Sequence, residues 1–449
     1  MRTTIPAVLA LTFVTFACAP GTADSPGEAR RADLAVFRKK FLAEDRSYSA
    51  AARAEAEARV ARLEADAEAV SQAYFELELG RIVALADNGH TALFAGPRSR
   101  HFDRVALRLV PFGEEFHVLR AREADADLLG ARLLAVDGRP AAELRDAGRA
   151  LHGGLPAWGD RFVPYFLESP EQMHALGLAT RAGEALYRFR LPDGREVERR
   201  LVAEPPSADR ARANALRWLS PAPLPGEGPG WRTALAAERA PWGLREPEDP
   251  FRWREAPELE ALVVDMRQND DADDQDIDDF LGEVKSKLRA ARPANLVLDL
   301  RLNGGGDLTT TRSFMKELHG LVPGRLFVLT SPWTFSAAIS SLGYLEQSAP
   351  ARVTVVGDPV GDRLEFFSEG SVVELPRSGL SVLHATERHD YRNGCRSARD
   401  CHGEVVRHPI AVASLAPDVP APWTIEVYLA GRDPGMEAVA AALGGEPAR

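Results

Sequence analysis

The chain reads as an α/β protein. Three observations predict this. Its carboxyl-terminal half alternates short, almost wholly apolar segments with amphipathic helical ones, a helix-rich stretch lies near the start, and strand-like runs fill the middle. Segments that are apolar at every position are buried on both faces, which marks a mostly parallel sheet covered by its crossover helices.

Taken in order, residues from about 30 to 80 are rich in Ala, Glu and Arg. Apolar positions recur there at helical spacing, Leu34, Phe37 and Phe41, then Val60, Leu63, Ala67 and Val70. Strand candidates follow at 104–111 and 133–140. Another pair, 185–191 and 196–202, is joined by Pro192-Asp-Gly-Arg195, a hairpin signal. The run Ser220-Pro-Ala-Pro-Leu-Pro-Gly-Glu-Gly-Pro-Gly230 breaks regular structure and places a linker region over 206–250. Beyond it the spacing predicts strands at 261–265, 295–300, 325–330 and 352–356, separated by helices at 277–291, 309–319 and 336–347.

The chain has 449 residues, which suits two or three domains, and its 45% hydrophobic content supplies an ordinary core. The net charge of −11 is spread along the chain with no basic patch, which argues against a nucleic-acid partner. The acidic run 270–279 lacks the mid-loop Gly and terminal Glu of a calcium hand, and reads instead as the charged start of a helix. No metal or organic cofactor is implied.

Arg2 is followed by an apolar run from Ile5 to Ala17 that ends at Cys18. That run is too short for a bilayer core of about 30 Å, which needs about 20 helical residues, so it reads as an export signal. A cysteine directly behind such a run resembles a bacterial lipoprotein cleavage site. Residues 1–18 are therefore expected to be a lipoprotein-type signal peptide, with Cys18 lipidated and 19–29 a tether. The protein would then face the periplasm or cell surface, anchored to the membrane. Cys395 and Cys401 remain, and an oxidising compartment favours a disulfide between them. A metal pair with His402 and His408 is the weaker reading, because two cysteines six apart do not match a zinc spacing.

Two segments fall at the carboxyl ends of adjacent predicted strands. In Asp299-Leu-Arg-Leu-Asn-Gly-Gly-Gly-Asp307, three glycines let backbone N–H groups face one point, as an anion requires. No P-loop lysine follows, since Leu308 and Thr309 stand there. In Thr330-Ser-Pro-Trp-Thr-Phe-Ser336-Ala-Ala-Ile339, Ser336 opens a helix, where the dipole and the Ala337 N–H favour developing negative charge. The plain alternatives are a tight turn and a helix cap by Ser331, Thr334 or Ser336.

In this order and spacing, the two segments resemble the C-terminal-processing (tail-specific) serine peptidases and the related tricorn core proteases. There, Asp-x-Arg-x-Asn-x-Gly-Gly supplies part of an oxyanion hole and Thr-x-Ser-Ala carries the nucleophile. Gly357-Asp-Pro-Val-Gly361 resembles their Gly-Glu-x-Thr-Gly turn. Leu375-Pro-Arg-Ser-Gly-Leu380, Ala416-Pro-Asp-Val419 and Tyr428-Leu-Ala-Gly-Arg-Asp-Pro434 resemble recurring later segments, so the likeness covers about residues 80 to 440.

The resemblance implies a ClpP/crotonase-like βαβ peptidase core over 251–445. It also implies a helical segment over 30–95 and a PDZ-like, β-rich insert over 96–205, around Leu129-Gly-Ala-Arg-Leu-Leu-Ala-Val-Asp-Gly-Arg-Pro140. Ser336 becomes the nucleophile, with Gly304, Gly305 and Ala337 as oxyanion donors. The lysine base of much of the family is impossible here. Lys39, Lys40, Lys285, Lys287 and Lys316 all precede Ser336, and Arg363 stays protonated. Asp87-Asn-Gly-His-Thr91 resembles the Asp-Gly-His-Thr element of the tricorn-like branch and makes His90 the implied base, with His384 and His389 as substitutes. Glu369, after the Gly357–Gly361 turn, is the expected orienting acid. The implied activity is hydrolysis of peptide or protein substrates through an acyl-enzyme. The alternatives are a catalytically inactive homologue acting as a lipid-anchored binding protein, and an esterase.

Overall fold

Leu and Val dominate the strands Ala261–Met266, Asn295–Asp299, Leu326–Thr330 and Val353–Gly357, and every residue of all four is buried. In the computed structural model, which describes residues 25–95, 100–205, 219–224, 230–396 and 399–444, these strands pair in that order and are parallel. Phe251–Ala256 closes one edge antiparallel and Val419–Pro420 the other edge parallel.

Each new strand is added on the same side of the last. Right-handed crossovers then keep the connecting helices on one face. Ile277–Ala291, Arg312–Leu321 and Ala337–Ser348 accordingly share a core with Leu262, Leu296, Leu298, Leu326 and Val328. The alternate residues Val263, Val297, Phe327 and Leu329 turn to the other face and meet Val439 and Ala440 of the last helix, Pro434–Ala442.

The acidic run behaves as a helix start: Asp276 accepts the Asp279 N–H at 3.0 Å, and Asp278 and Asp279 fill the first turn. The helix expected from 309 begins at Arg312, because Thr309 and Thr310 bond Asp307 in a turn of their own.

The middle region is an antiparallel sheet ordered Arg104–Val105, Glu196–Glu204, Glu184–Arg190, Arg132–Val136, Glu115–Arg122, Leu107–Phe112. The expected hairpin forms, with Arg190 opposite Glu196 and the Leu191 N–H bonded to the Arg195 carbonyl at 2.8 Å. Part of the stretch read as a linker belongs to this sheet: Trp231–Thr233 pairs with Glu115–Arg122, and buried Arg120 donates to the Ala222 carbonyl at 2.7 Å. Proline and glycine broke the helical pattern there, but the backbone polar groups still found sheet and guanidinium partners.

Helices Pro26–Val36, Ala50–Ala65 and Gln72–Ala84 enclose Phe37, Phe41, Val60, Leu63 and Phe75. That core continues into Val373, Leu375 and Val382 of a small sheet, where Ala92–Leu93 pairs with Ser381–Leu383. These helices are thereby fastened to an excursion of the carboxyl-terminal half. Cys395 and Cys401 form a disulfide with a Cα separation of 5.9 Å, so neither sulfur is a metal ligand. The expected signal peptide 1–18, with Cys18, and tether residues 19–24 lie outside the described residues, and the last residues of the expected tether already belong to the helix Pro26–Val36. Among the described residues, no helix is long and apolar enough to cross a membrane.

Candidate active site

The turn from Leu326–Thr330 into Ala337–Ser348 presents three hydroxyls that could cap the helix. Two are spent on the turn itself. Ser331 Oγ donates to the Arg301 carbonyl and accepts the Trp333 N–H at 3.0 Å. Thr334 Oγ1 donates to the Leu300 carbonyl at 2.7 Å and accepts the Ser331 N–H at 3.0 Å. Ser336 occupies the cap position but makes no side-chain cap bond, and its backbone has φ 55° and ψ −125°. A non-glycine residue held there carries strain of about 1–3 kcal/mol, which tends to collect at functional sites. The partly exposed Ser336 hydroxyl is thus released from the usual duty of a helix-start serine.

Two buried amides lock the glycine loop to this helix. Asn303 takes the Phe335 N–H on its carbonyl at 3.0 Å and the Gly305 N–H on Oδ1 at 2.9 Å. Its Nδ2 donates to Asn269 Oδ1 at 3.0 Å, and Asn269 Nδ2 donates to Ser341 Oγ at 2.9 Å. The loop lies directly on the Ser336 turn: a Cβ on Gly305, whose φ is +100°, would stand 2.5 Å from Ser336 Cβ.

This corrects the expected donor set. The Gly305 N–H is consumed by Asn303, and the Gly304 N–H faces the Arg267 carbonyl at 3.4 Å. Of the three expected donors, only the Ala337 N–H has no acceptor among the described residues. The reason is local, since the asparagine amide competes for the same donors that the glycines bare.

Asp299 and Arg301 serve structure. Arg301 grips Asp299 at 2.6 and 2.9 Å and Asp433 at 2.7 and 2.9 Å, fixing the sheet end to the last helix. Two segments read separately in sequence are one buried ion cluster.

His90 arrives from the far end of the chain, and its neighbours explain how. Asp87 receives Arg363 on both carboxylate oxygens at 3.0 Å. Asn88 exchanges bonds with the Phe367 backbone at 3.0 and 3.1 Å, and Thr91 Oγ1 donates to Asp45 at 2.9 Å. The ring is buried between Phe335, at 4.3 Å centroid to centroid, and Phe366, at 4.9 Å. Phe335 is the residue before Ser336. His90 Nδ1 faces buried Asp362 Oδ2 at 3.3 Å, and neither ring nitrogen makes a hydrogen bond among the described residues.

Glu369, expected to orient His90, stands elsewhere. It faces His389 Nε2 at 3.3 Å, on the opposite side of Phe366. The carboxylate beside His90 Nδ1 is Asp362, which follows the Gly357–Gly361 turn directly and which sequence reasoning passed over. Gly361 donates its N–H to the Thr334 carbonyl at 2.8 Å and so carries Asp362 to the Ser336 turn, a contact between residues distant in the chain.

His389 belongs to its own chain, donating or accepting with Tyr391 Oη at 2.9 Å, which meets Ser340 Oγ at 2.7 Å. Burial pushes its imidazole below the ordinary value against the pull of Glu369. His384 lies near Glu44 at 3.4 Å. Beside the turn, burial lifts the Asp358 carboxyl to about 6.

A free hydroxyl on a strained helix start, an uncommitted backbone N–H next to it and an imidazole facing a carboxylate are the parts that nucleophilic acyl transfer requires. The chain matches no family model, and no curated protein matches it significantly. Solved structures do match. Mature CPAF complexed with lactacystin aligns at a TM-score of 0.54 and 12% identity, over 93% of this chain and 97% of that one. A serine-to-alanine mutant of CPAF gives 0.57 at 12%, over 94% and 99%. At such identity the likeness is one of fold. The photosystem II D1 C-terminal processing protease aligns at 0.38 and 14%, over 95% and 99%. The two CPAF alignments are consistent with the resemblance that the motifs carry.

Proposed function

We propose that the chain is a serine peptidase acting through a Ser336 acyl-enzyme. The observation that carries this reading is the strained, uncapped Ser336 one residue from the ring on which His90 stacks. Ser336 Oγ attacks the peptide carbonyl carbon and His90 takes its proton, the resulting imidazolium facing Asp362. The Ala337 N–H and the helix dipole receive the oxyanion. The proton passes to the leaving amine, and water then releases the acyl group by the same route. A positioned base contributes about 10²–10⁴ in rate and one oxyanion donor about 10²–10³. The Ser336–His90 hydrogen bond is not formed here, and such bonds commonly tighten only with substrate.

A fluorophosphonate probe should label wild type at Ser336. Ser336→Ala should abolish labelling, and His90→Ala should slow it at least about 10²-fold. Folded wild type that never labels would overturn the peptidase in favour of an inactive, binding homologue, a reading that the unbonded His90 nitrogens support. Turnover of esters alone would point to the esterase. We also propose that the chain is exported and anchored through lipid on Cys18. Intact mass of the membrane-extracted protein checks this, and an unmodified Cys18 would refute it.

A further inference from the structure

A cavity of about 270 Å³ is walled by residues of the helices Pro26–Val36 and Gln72–Ala84 together with Arg377 and Ser378. None of the residues proposed for catalysis lines it. Glu76 does, and it is 0% exposed. Its Oε1 accepts Gln72 Nε2 at 2.9 Å and meets His101 Nδ1 at 2.9 Å. Its Oε2 is buried with no hydrogen-bond partner among the described residues. Arg30, 9% exposed, lines the same cavity. Its Nη1 donates to the Ala67 carbonyl at 2.8 Å, and its Nε reaches Gln72 Oε1 at 3.4 Å. Nη2, on the same edge as Nε, has no acceptor among the described residues, and no carboxylate there pairs with this guanidinium.

A buried carboxylate oxygen without a donor and a buried guanidinium without an anion both cost free energy. In this cavity they could have cancelled each other. The Gln72 amide holds them apart, giving its oxygen to Arg30 and its N–H to Glu76. Asp33, the other carboxylate of the wall, is committed to the Arg377 and Ser378 N–H groups at 2.7 and 2.9 Å. One donor and one acceptor are therefore left over at opposite ends of one amide. An amide spans about 2.2 Å from O to N, so Arg30 Nε and Glu76 Oε1 stand no more than about 9 Å apart. The Glu76 end is electronegative: burial, then the charges of Asp103 and Glu76, push the Glu171 carboxyl above its ordinary value.

A molecule that satisfies both ends carries an ammonium and a carboxylate. In an α-amino acid these lie about 3 Å apart, and a charge-assisted hydrogen bond of about 2.8 Å at each end extends the reach to about 8–9 Å. Drug-sized ligands occupy roughly 300–1,000 Å³, so this smaller space suits a molecule of amino-acid size.

We propose that the cavity binds a free α-amino acid, with its ammonium on Glu76 Oε2 and its carboxylate on Arg30 Nη2. Nothing in this assignment depends on the chemistry at Ser336.

The test is calorimetric titration of the full chain carrying Ser336→Ala, so that no probe is turned over. The probes are L-alanine, N-acetyl-L-alanine, which lacks the ammonium, and L-alaninamide, which lacks the carboxylate. Each is taken to about 50 mM, where even a millimolar site fills. L-alanine should bind at least about 10-fold more tightly than either capped form, since each loses one charge-assisted bond. Glu76→Gln should lower the affinity for L-alanine to that of the acetylated form, and Arg30→Gln to that of the amide. Thermal melts check that both variants are folded, and the three probes on the unaltered cavity decide the matter even where a variant is not. No binding of L-alanine, equal binding of either capped form, or a preference that survives in folded Glu76→Gln would overturn the site. Fluorophosphonate labelling of Ser336 bears on the peptidase alone, so either reading can fail without the other.

Discussion

The glycine loop offers a sharp contrast between adjacent residues. A Cβ on Gly304 would meet nothing within 4 Å, whereas one on Gly305 would stand 2.5 Å from Ser336 Cβ, 2.9 Å from the Phe335 carbonyl oxygen and 3.0 Å from Ala337 N. Carbon atoms in good contact lie about 3.5–4.0 Å apart, so Gly305→Ala must push the Ser336 turn by roughly 1 Å. Displacement of that size at a reacting group costs about 10²-fold in rate. The φ of +100° adds strain of about 1–3 kcal/mol for any L side chain. Gly305→Ala should therefore label with fluorophosphonate at least about 10²-fold more slowly and melt a few degrees lower, while Gly304→Ala keeps the melting point of wild type. The assay is the labelling time course on gels beside thermal melts of the same preparations. Wild-type labelling by Gly305→Ala, or an equal loss in Gly304→Ala, would refute the view that loop-to-serine contact sets the geometry.

Three further outcomes follow from neighbouring groups. Asp362→Asn should slow labelling by about 10²–10⁴, and by more than Glu369→Gln does; the reverse order would return the orienting role to Glu369. The Asp358 carboxyl, raised by burial from 3.8 to about 6, holds more protons in the folded state between those values. Stability from this group is full below pH 4 and falls as pH rises through 6, by at most about 3 kcal/mol, so Asp358→Asn should flatten that part of the urea-midpoint profile; an unchanged profile would refute it. Breaking the buried cluster with Asp433→Asn strands Arg301 against Asp299 alone and should cost about 3–5 kcal/mol in urea unfolding, whereas an unmoved midpoint would show that Asp299 suffices.

Local pattern carried a large share of this protein. The helix Ile277–Ala291 and the apolar strands at 295 and 326 follow from side-chain spacing, because burial on one stripe or on both faces is written into consecutive residues. The turn that carries Ser336 into its helix was legible in the same way, since glycine, hydroxyl and helix start are neighbours in the chain. The hairpin at 192–195 was equally local, but the strand Trp231–Thr233 was not, because its partner lies more than a hundred residues earlier.

What surrounds Ser336 is non-local, and only folding assembles it. His90 was singled out by motif, yet its place depends on Asn88 bonding Phe367 and Asp87 bonding Arg363 across the whole molecule. Which carboxylate faces it was decided by a ring: Phe366 stands between His90 and His389, leaving Asp362 to the first and Glu369 to the second. Arg161, whose Nε and Nη1 are buried with no hydrogen-bond partner among the described residues, has no sequence signature at all. An arginine is unpaired only when the tertiary packing around it supplies rings and withholds carboxylates, and that is a property of neighbours in space.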